Sequence, residues 1–153
     1  MEKKKIIFLD IDGVLNCCTT KERHRGFIGI DEKKIKIFKR ILEETNAKVV
    51  LSSTWRLIDE NLNHVKDKVC DILDITPYIA YEPNIPRRGT EIDRWYQEHK
   101  NEIEEYVILD DDPDILEHQL ENWWQTFWED GLTEAQADLI IRFLNYGKPK
   151  KQK

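Results

Sequence analysis

The stretch Lys5 to Leu9 is a short apolar run, rich in Ile and Phe, that ends abruptly at Asp10-Ile11-Asp12-Gly13. A run this short and this apolar fits a strand covered on both faces, as strands of parallel sheets are. In open α/β sheets ligands bind beyond the carboxyl ends of such strands, so the chemistry is expected where the run turns acidic. Residues two apart leave an extended chain on the same side, so Asp10 and Asp12 are expected to face one bound group. That juxtaposition is costly without a cation, which a hard divalent ion such as Mg²⁺ would supply through oxygen ligands. Gly13 permits a tight backbone turn beside them.

The rest of the chain alternates in the same way. Asp31 is a plausible N-cap for a helix carrying Ile35, Ile37, Phe38, Ile41 and Leu42. Ala47 to Leu51 reads as a second strand, followed by Ser52-Ser53-Thr54 and a helical segment to about Lys68. Asp71 to Ile75 reads as a third strand, and Thr90 as the cap of a helix with Ile92, Trp95 and Tyr96. Tyr106 to Leu109 is a further strand stopped by Asp110-Asp111-Asp112-Pro113, with Pro113 opening a helix through about Glu121. Trp124 to Trp128 reads as a last strand, and Thr133-Glu134-Ala135-Gln136 as a capping box opening a helix through about Asn145. This order predicts an α/β fold: a three-layer, Rossmann-like domain with a mostly parallel central sheet.

At 153 residues the chain is expected to form one domain over 1–147, with 148–153 as a basic, disordered tail. A net charge of −6 argues against broad attraction to nucleic-acid backbones, although a local basic patch stays open. No stretch approaches the roughly 18 apolar residues that a membrane span needs, and the apolar run after the lysines at the start is too short for a signal peptide. Cys17, Cys18 and Cys70 are odd in number and form no C-x-x-C pair, so free thiols in a reducing, cytoplasmic setting are expected. Cys17, Cys18 and His24 lack a fourth ligand at zinc-site spacing. Trp55, Trp95, Trp123, Trp124 and Trp128 are expected in a core or at its rim before they are expected to stack nucleobases.

IIFLDIDGVLN resembles the first motif of the haloacid dehalogenase (HAD) superfamily, and VVLSS, a basic residue at Arg87 or Arg88, and VILDDDPD resemble its later motifs in order. More narrowly, SSTWR, RRGTEIDRWY, YVILDDD and GLT resemble the small HAD domains found with RNA-repair proteins. The resemblance implies a Mg²⁺-dependent phosphohydrolase without a cap domain, since little chain remains for one between Asp12 and Ser52. It implies Asp10 as the nucleophile and Asp12 as the acid that protonates the leaving oxygen and then activates water. Ser52 would donate to a phosphate oxygen, Arg88 would offset charge on the phosphoryl group, and Asp10, Asp12, Asp110 and Asp111 would hold the metal. Ser53 for Ser52, Arg87 for Arg88 and Asp112 for its neighbours remain alternatives, with Asp114 a weaker metal candidate. The implied partner is a phosphorylated substrate, extending to RNA or DNA ends or nucleotides, with no membrane partner.

Three other readings compete. A nucleotidase or small-metabolite phosphatase shares the same machinery. A receiver-like phosphoacceptor needs its Asp at the end of the third strand, where no matching residue stands. A non-catalytic HAD-like binding or regulatory module would be marked by loss of Asp10 or Asp12, and both are present. The loop Asn16 to Ile30 is expected to border the site, with Arg23, His24 and Arg25 lending it local positive charge.

Overall fold

The computed structural model describes residues 2–148. The tail expected at 148–153 therefore lies, apart from Lys148, outside the described residues. In chain order the elements are β1 (Lys4–Leu9), a hairpin of β2 (Arg23–His24) and β3 (Phe27–Ile28), α1 (Glu32–Thr45), β4 (Lys48–Leu51), α2 (Asp59–Lys68), β5 (Asp74–Ile75), α3 (Arg87–His99), β6 (Ile103–Asp110), β7 (Trp123–Gln125) and α4 (Glu134–Tyr146). The five-stranded sheet runs β5-β4-β1-β6-β7 and every pairing in it is parallel. The α/β, Rossmann-like architecture expected from the sequence is the one that forms.

Alternation along β1 feeds a separate core on each face of the sheet. Ile7 and Leu9 pack with Phe38 and Ile41 of α1, Val65 of α2 and Ile140 of α4. Ile6 and Phe8 point the other way, against Ile92 and Trp95 of α3. With both faces covered, β1 has no need of polar residues until it reaches its end. No helix among the described residues is long and apolar enough to cross a membrane.

Two helix starts form as the sequence suggests. Asp31 accepts the Lys33 N–H at 2.9 Å, and Thr133 and Gln136 form a reciprocal capping box at α4. Two others differ. α3 begins at Arg87, ahead of Thr90, whose hydroxyl donates to the Pro86 carbonyl at 2.7 Å. Its first turn is satisfied from a distant part of the chain: the Asp114 carboxylate accepts from Arg88 N (3.1 Å), and the Asp114 carbonyl accepts from Gly89 N (2.9 Å). Gly89 makes this approach feasible, because a Cβ there would stand 2.7 Å from Leu116 N. The helix expected from Pro113 is replaced by a turn and a short 3₁₀ segment, Glu117–Asn122. Asp112 takes the Asp114 N–H at 3.1 Å, which bends the chain away from a helical path. The third and last strands are shorter than expected, at Asp74–Ile75 and Trp123–Gln125.

Arg56 ties the carboxyl edge together. It is buried, donates to the carbonyls of Ser52 (3.0 Å), Ser53 (3.0 Å), Thr76 (2.9 Å) and Pro77 (3.2 Å), and pairs with buried Glu91 of α3 at 3.1 Å. The segments after β4 and β5 and the first half of α3 thus share one guanidinium. Removing it would take away the buried charge nearest to Glu91, leaving that carboxylate with Ile79 N–H and the more distant Arg87, and would remove the guanidinium donors of the carbonyls of Ser52, Thr76 and Pro77. Arg56→Met is expected to lower unfolding free energy by about 3–5 kcal/mol. A urea titration followed by circular dichroism checks this, and a loss below about 1 kcal/mol would mean the network contributes little.

Candidate active site

Register decides which side chains meet. Leu9 pairs with Leu51 on one side and Leu109 on the other, so Asp10, Ser52 and Asp110 leave adjacent strands at one level. The chain runs from β1 outward to β4 and β5, then returns to β6 on β1's other side, which makes the β1/β6 crevice a topological switch point. At that crevice Asp10, Asp110 and Asp111 each offer a carboxylate oxygen, all within 4.8 Å of one another. From the first turn of α3, Arg88 Nη1 reaches Asp110 Oδ2 at 2.6 Å and Asp10 Oδ1 at 3.4 Å. Gly13 is required beside them, with φ +82° and a Cβ position that would fall 2.2 Å from Asp111 Oδ2.

Asp12 stands outside this acidic group. Its Oδ1 accepts from Asn16 Nδ2 at 2.9 Å and its Oδ2 from Trp55 Nε1 at 3.1 Å. Asp10 and Asp12 therefore have separate partners. The extended geometry behind the contrary expectation ends at Leu9, and a tight turn follows, with Val14 and Leu15 N–H both returning to the Ile11 carbonyl. Asn16 is fully buried and also links Gly13 N (2.8 Å) and the Gly29 carbonyl (2.9 Å). Neither Asn16 nor Trp55 was singled out from the sequence as a partner of Asp12. An Asn directly after the apolar pair Val14-Leu15 was the available signal, since a buried amide needs partners.

The alternative positions take distinct places. Ser52 Oγ is buried at the end of β4 and donates to the Leu9 carbonyl at 3.2 Å, while Ser53 Oγ caps the 3₁₀ turn by accepting from Trp55 N at 3.2 Å. Arg87 lies over the Tyr78 ring, 4.3 Å from its centroid, and points toward Glu91, away from the acidic group that Arg88 meets. Asp112 and Asp114 serve local turns and the α3 start.

Residues 6–137 match the family model described as the HAD domain in Swiss Army Knife RNA repair proteins. The chain belongs to this family. No curated protein and no solved structure gave a significant match. Membership supports a phosphohydrolase-type function in general, and the acidic group of this HAD domain is compatible with a metal ion.

Electrostatics make the same point about the acidic group. Burial, with the Asp10 charge added, pushes the Asp110 carboxyl up to about 8 despite the opposing pull of Arg88. Burial and Asp10 likewise push Asp111 up to about 6. Burial alone would lower the Arg88 guanidinium, and the Asp110 and Asp10 carboxylates beside it more than reverse that, leaving it raised. Oxygen donors this close, two of them buried and the third partly so, fit a hard divalent cation such as Mg²⁺.

Raised carboxyl groups favour the folded state only while they hold their protons, so this contribution is present below the ordinary carboxylate range and is lost as pH rises through the folded values. In the metal-free protein the melting temperature is expected to fall as pH rises from about 4 to about 8 through these two groups. Mg²⁺ is expected to restore more stability near pH 8 than near pH 5, with proton release on binding between them. Thermal melts with and without Mg²⁺ check this, and a metal gain equal at both pH values would contradict it.

Proposed function

We propose that this HAD domain is a Mg²⁺-dependent phosphomonoesterase that works through a phosphoryl group carried on Asp10. The observation that supports it is the separation of partners at the end of β1: Asp10 sits with Asp110, Asp111 and Arg88, while Asp12 is held apart by Asn16 and Trp55. In this reading an Asp10 oxygen attacks phosphorus, the bond from phosphorus to the leaving oxygen breaks, and protonated Asp12 gives its proton to that oxygen. Water then attacks the phosphorus of the aspartyl phosphate, Asp12 takes the proton back, and inorganic phosphate leaves with the Asp10 carboxylate restored. Arg88 offsets charge on Asp10 and on the phosphoryl oxygens. Ser52 swings its hydroxyl from the Leu9 carbonyl to a phosphate oxygen. Mg²⁺, held by Asp10, Asp110 and Asp111, would supply charge neutralisation at the phosphoryl group.

A phosphate at the end of a nucleic acid is the proposed substrate. The family's description with RNA-repair proteins favours it. So does the openness of the site: among the described residues, the excursions 13–31 and 76–86 contain nothing larger than the β2/β3 hairpin. Phosphate release from 3′- or 5′-phosphorylated oligonucleotides is expected to require Mg²⁺. Asp10→Asn should lower it by about three orders of magnitude or more, and Asp12→Asn by about two to four. Release that survives Asp10→Asn would sink the covalent reading, and faster turnover of free mononucleotides would turn the assignment to a nucleotidase.

A further inference from the structure

A cavity of about 550 Å³ opens at Asp12, between the hairpin residues His24, Arg25 and Phe27 and the side chains of Trp55, Asn61 and Trp128. It lies within the usual volume range of small-molecule sites, roughly 300–1,000 Å³. Of the residues assigned to phosphoryl transfer, only Asp12 reaches it; Asp10, Arg88, Asp110 and Asp111 do not line it. Asp12 is the group assigned to protonate the leaving oxygen, so the part of a substrate lying here is the leaving alcohol.

The walls specify what kind of alcohol. The Arg25-Gly26 turn, with φ +54° and +83°, is the two-residue reversal that fits a twisted hairpin. It presents Phe27 at the cavity with 78% of its surface exposed, and Trp128 faces the same space 40% exposed. Trp55 forms part of the wall, with the His24 ring stacked on it at 5.5 Å and His64 stacked on His24 at 4.0 Å.

The rim adds polar recognition. His24 Nε2 and Asn61 Oδ1 lie 3.0 Å apart. The Asn61 amide NH₂ has no intramolecular partner among the described residues. Arg25 adds a positive charge at the rim, where it pairs with exposed Glu60.

We propose that this cavity is a nucleobase subsite, in which the base of the phosphate-bearing nucleotide stacks on Phe27 and Trp128 and offers its polar edge to Asn61. A flat ring with a hydrogen-bonding edge suits the aromatic walls and the free amide, and base stacking on aromatic side chains tolerates any base. The assignment of the cavity to the leaving-group side rests on the phosphohydrolase reading; the capacity to bind a base does not.

The test uses oligonucleotides phosphorylated at the 3′ or 5′ end, each with its terminal base intact or replaced by an abasic residue, together with glycerol phosphate and a phosphotyrosyl peptide. The intact base should raise kcat/KM about tenfold or more over the abasic match. Phe27→Ala and Trp128→Ala should each reduce that advantage while leaving glycerol phosphate turnover unchanged. Equal turnover of intact and abasic ends would overturn the subsite and leave the phosphohydrolase standing, and so would preference for the phosphotyrosyl peptide. Should no substrate turn over, the catalytic reading fails and the subsite is judged by binding. A nucleoside monophosphate should then quench tryptophan fluorescence of the metal-free protein more than ribose phosphate does, and Phe27→Ala should weaken that binding. Equal responses to the two ligands would overturn the subsite.

Discussion

The carboxyl edge of the sheet depends on holding Asp10, Asp110 and Asp111 within 4.8 Å of one another in a place where water cannot fully screen them. Parallel register alone creates this, because Leu9 and Leu109 are paired and the next residue on each strand is Asp. The repulsion is offset by the Arg88 guanidinium and by the Asp112 N–H, which donates to Asp110, and Arg88 is in place because α3 starts one residue ahead of it with Asp114 accepting from its first turn. Buried like charges are unfavourable for the fold and useful for chemistry. The segments around them are correspondingly well tied, with Arg56 bridging the loops after β4 and β5 to Glu91.

Two carboxylates two residues apart end up in different surroundings. Asp10 continues the ladder, its N–H donating to the Leu109 carbonyl at 3.0 Å, and faces Arg88 and the other acids. Asp12 lies past the strand end, where Asn16 and Trp55 each donate to one of its oxygens. The turn at Gly13, with its positive φ, is the local device that sends the two side chains to different partners. The same Trp55 that holds Asp12 forms part of the wall of the neighbouring cavity, so the proposed acid and the proposed base subsite share a side chain.

Much of this was legible in the sequence because it is local. The apolar run before Asp10, the Asp31 cap and the Thr133/Gln136 box are decided within a few residues. What was misread depends on distant partners. Thr90 looked like a cap, yet donors of that helix start are met by Asp114 across the fold. The core-or-rim expectation for Trp55 holds, since it is buried; what the sequence did not show is that its indole N–H donates to Asp12, a pairing that exists only after β1 and β4 align. The β2/β3 hairpin escaped notice although Arg25-Gly26 carried a turn signal, because strands of two residues leave almost no periodicity to read.

If phosphate passes through Asp10 as proposed, the stereochemical course at phosphorus records it. With a substrate whose phosphate is chiral through oxygen isotopes or sulfur, two successive in-line displacements, first by Asp10 and then by water, predict net retention of configuration. Net inversion would mean that water attacks the substrate directly, and the account of Asp10 as a covalent nucleophile would be contradicted.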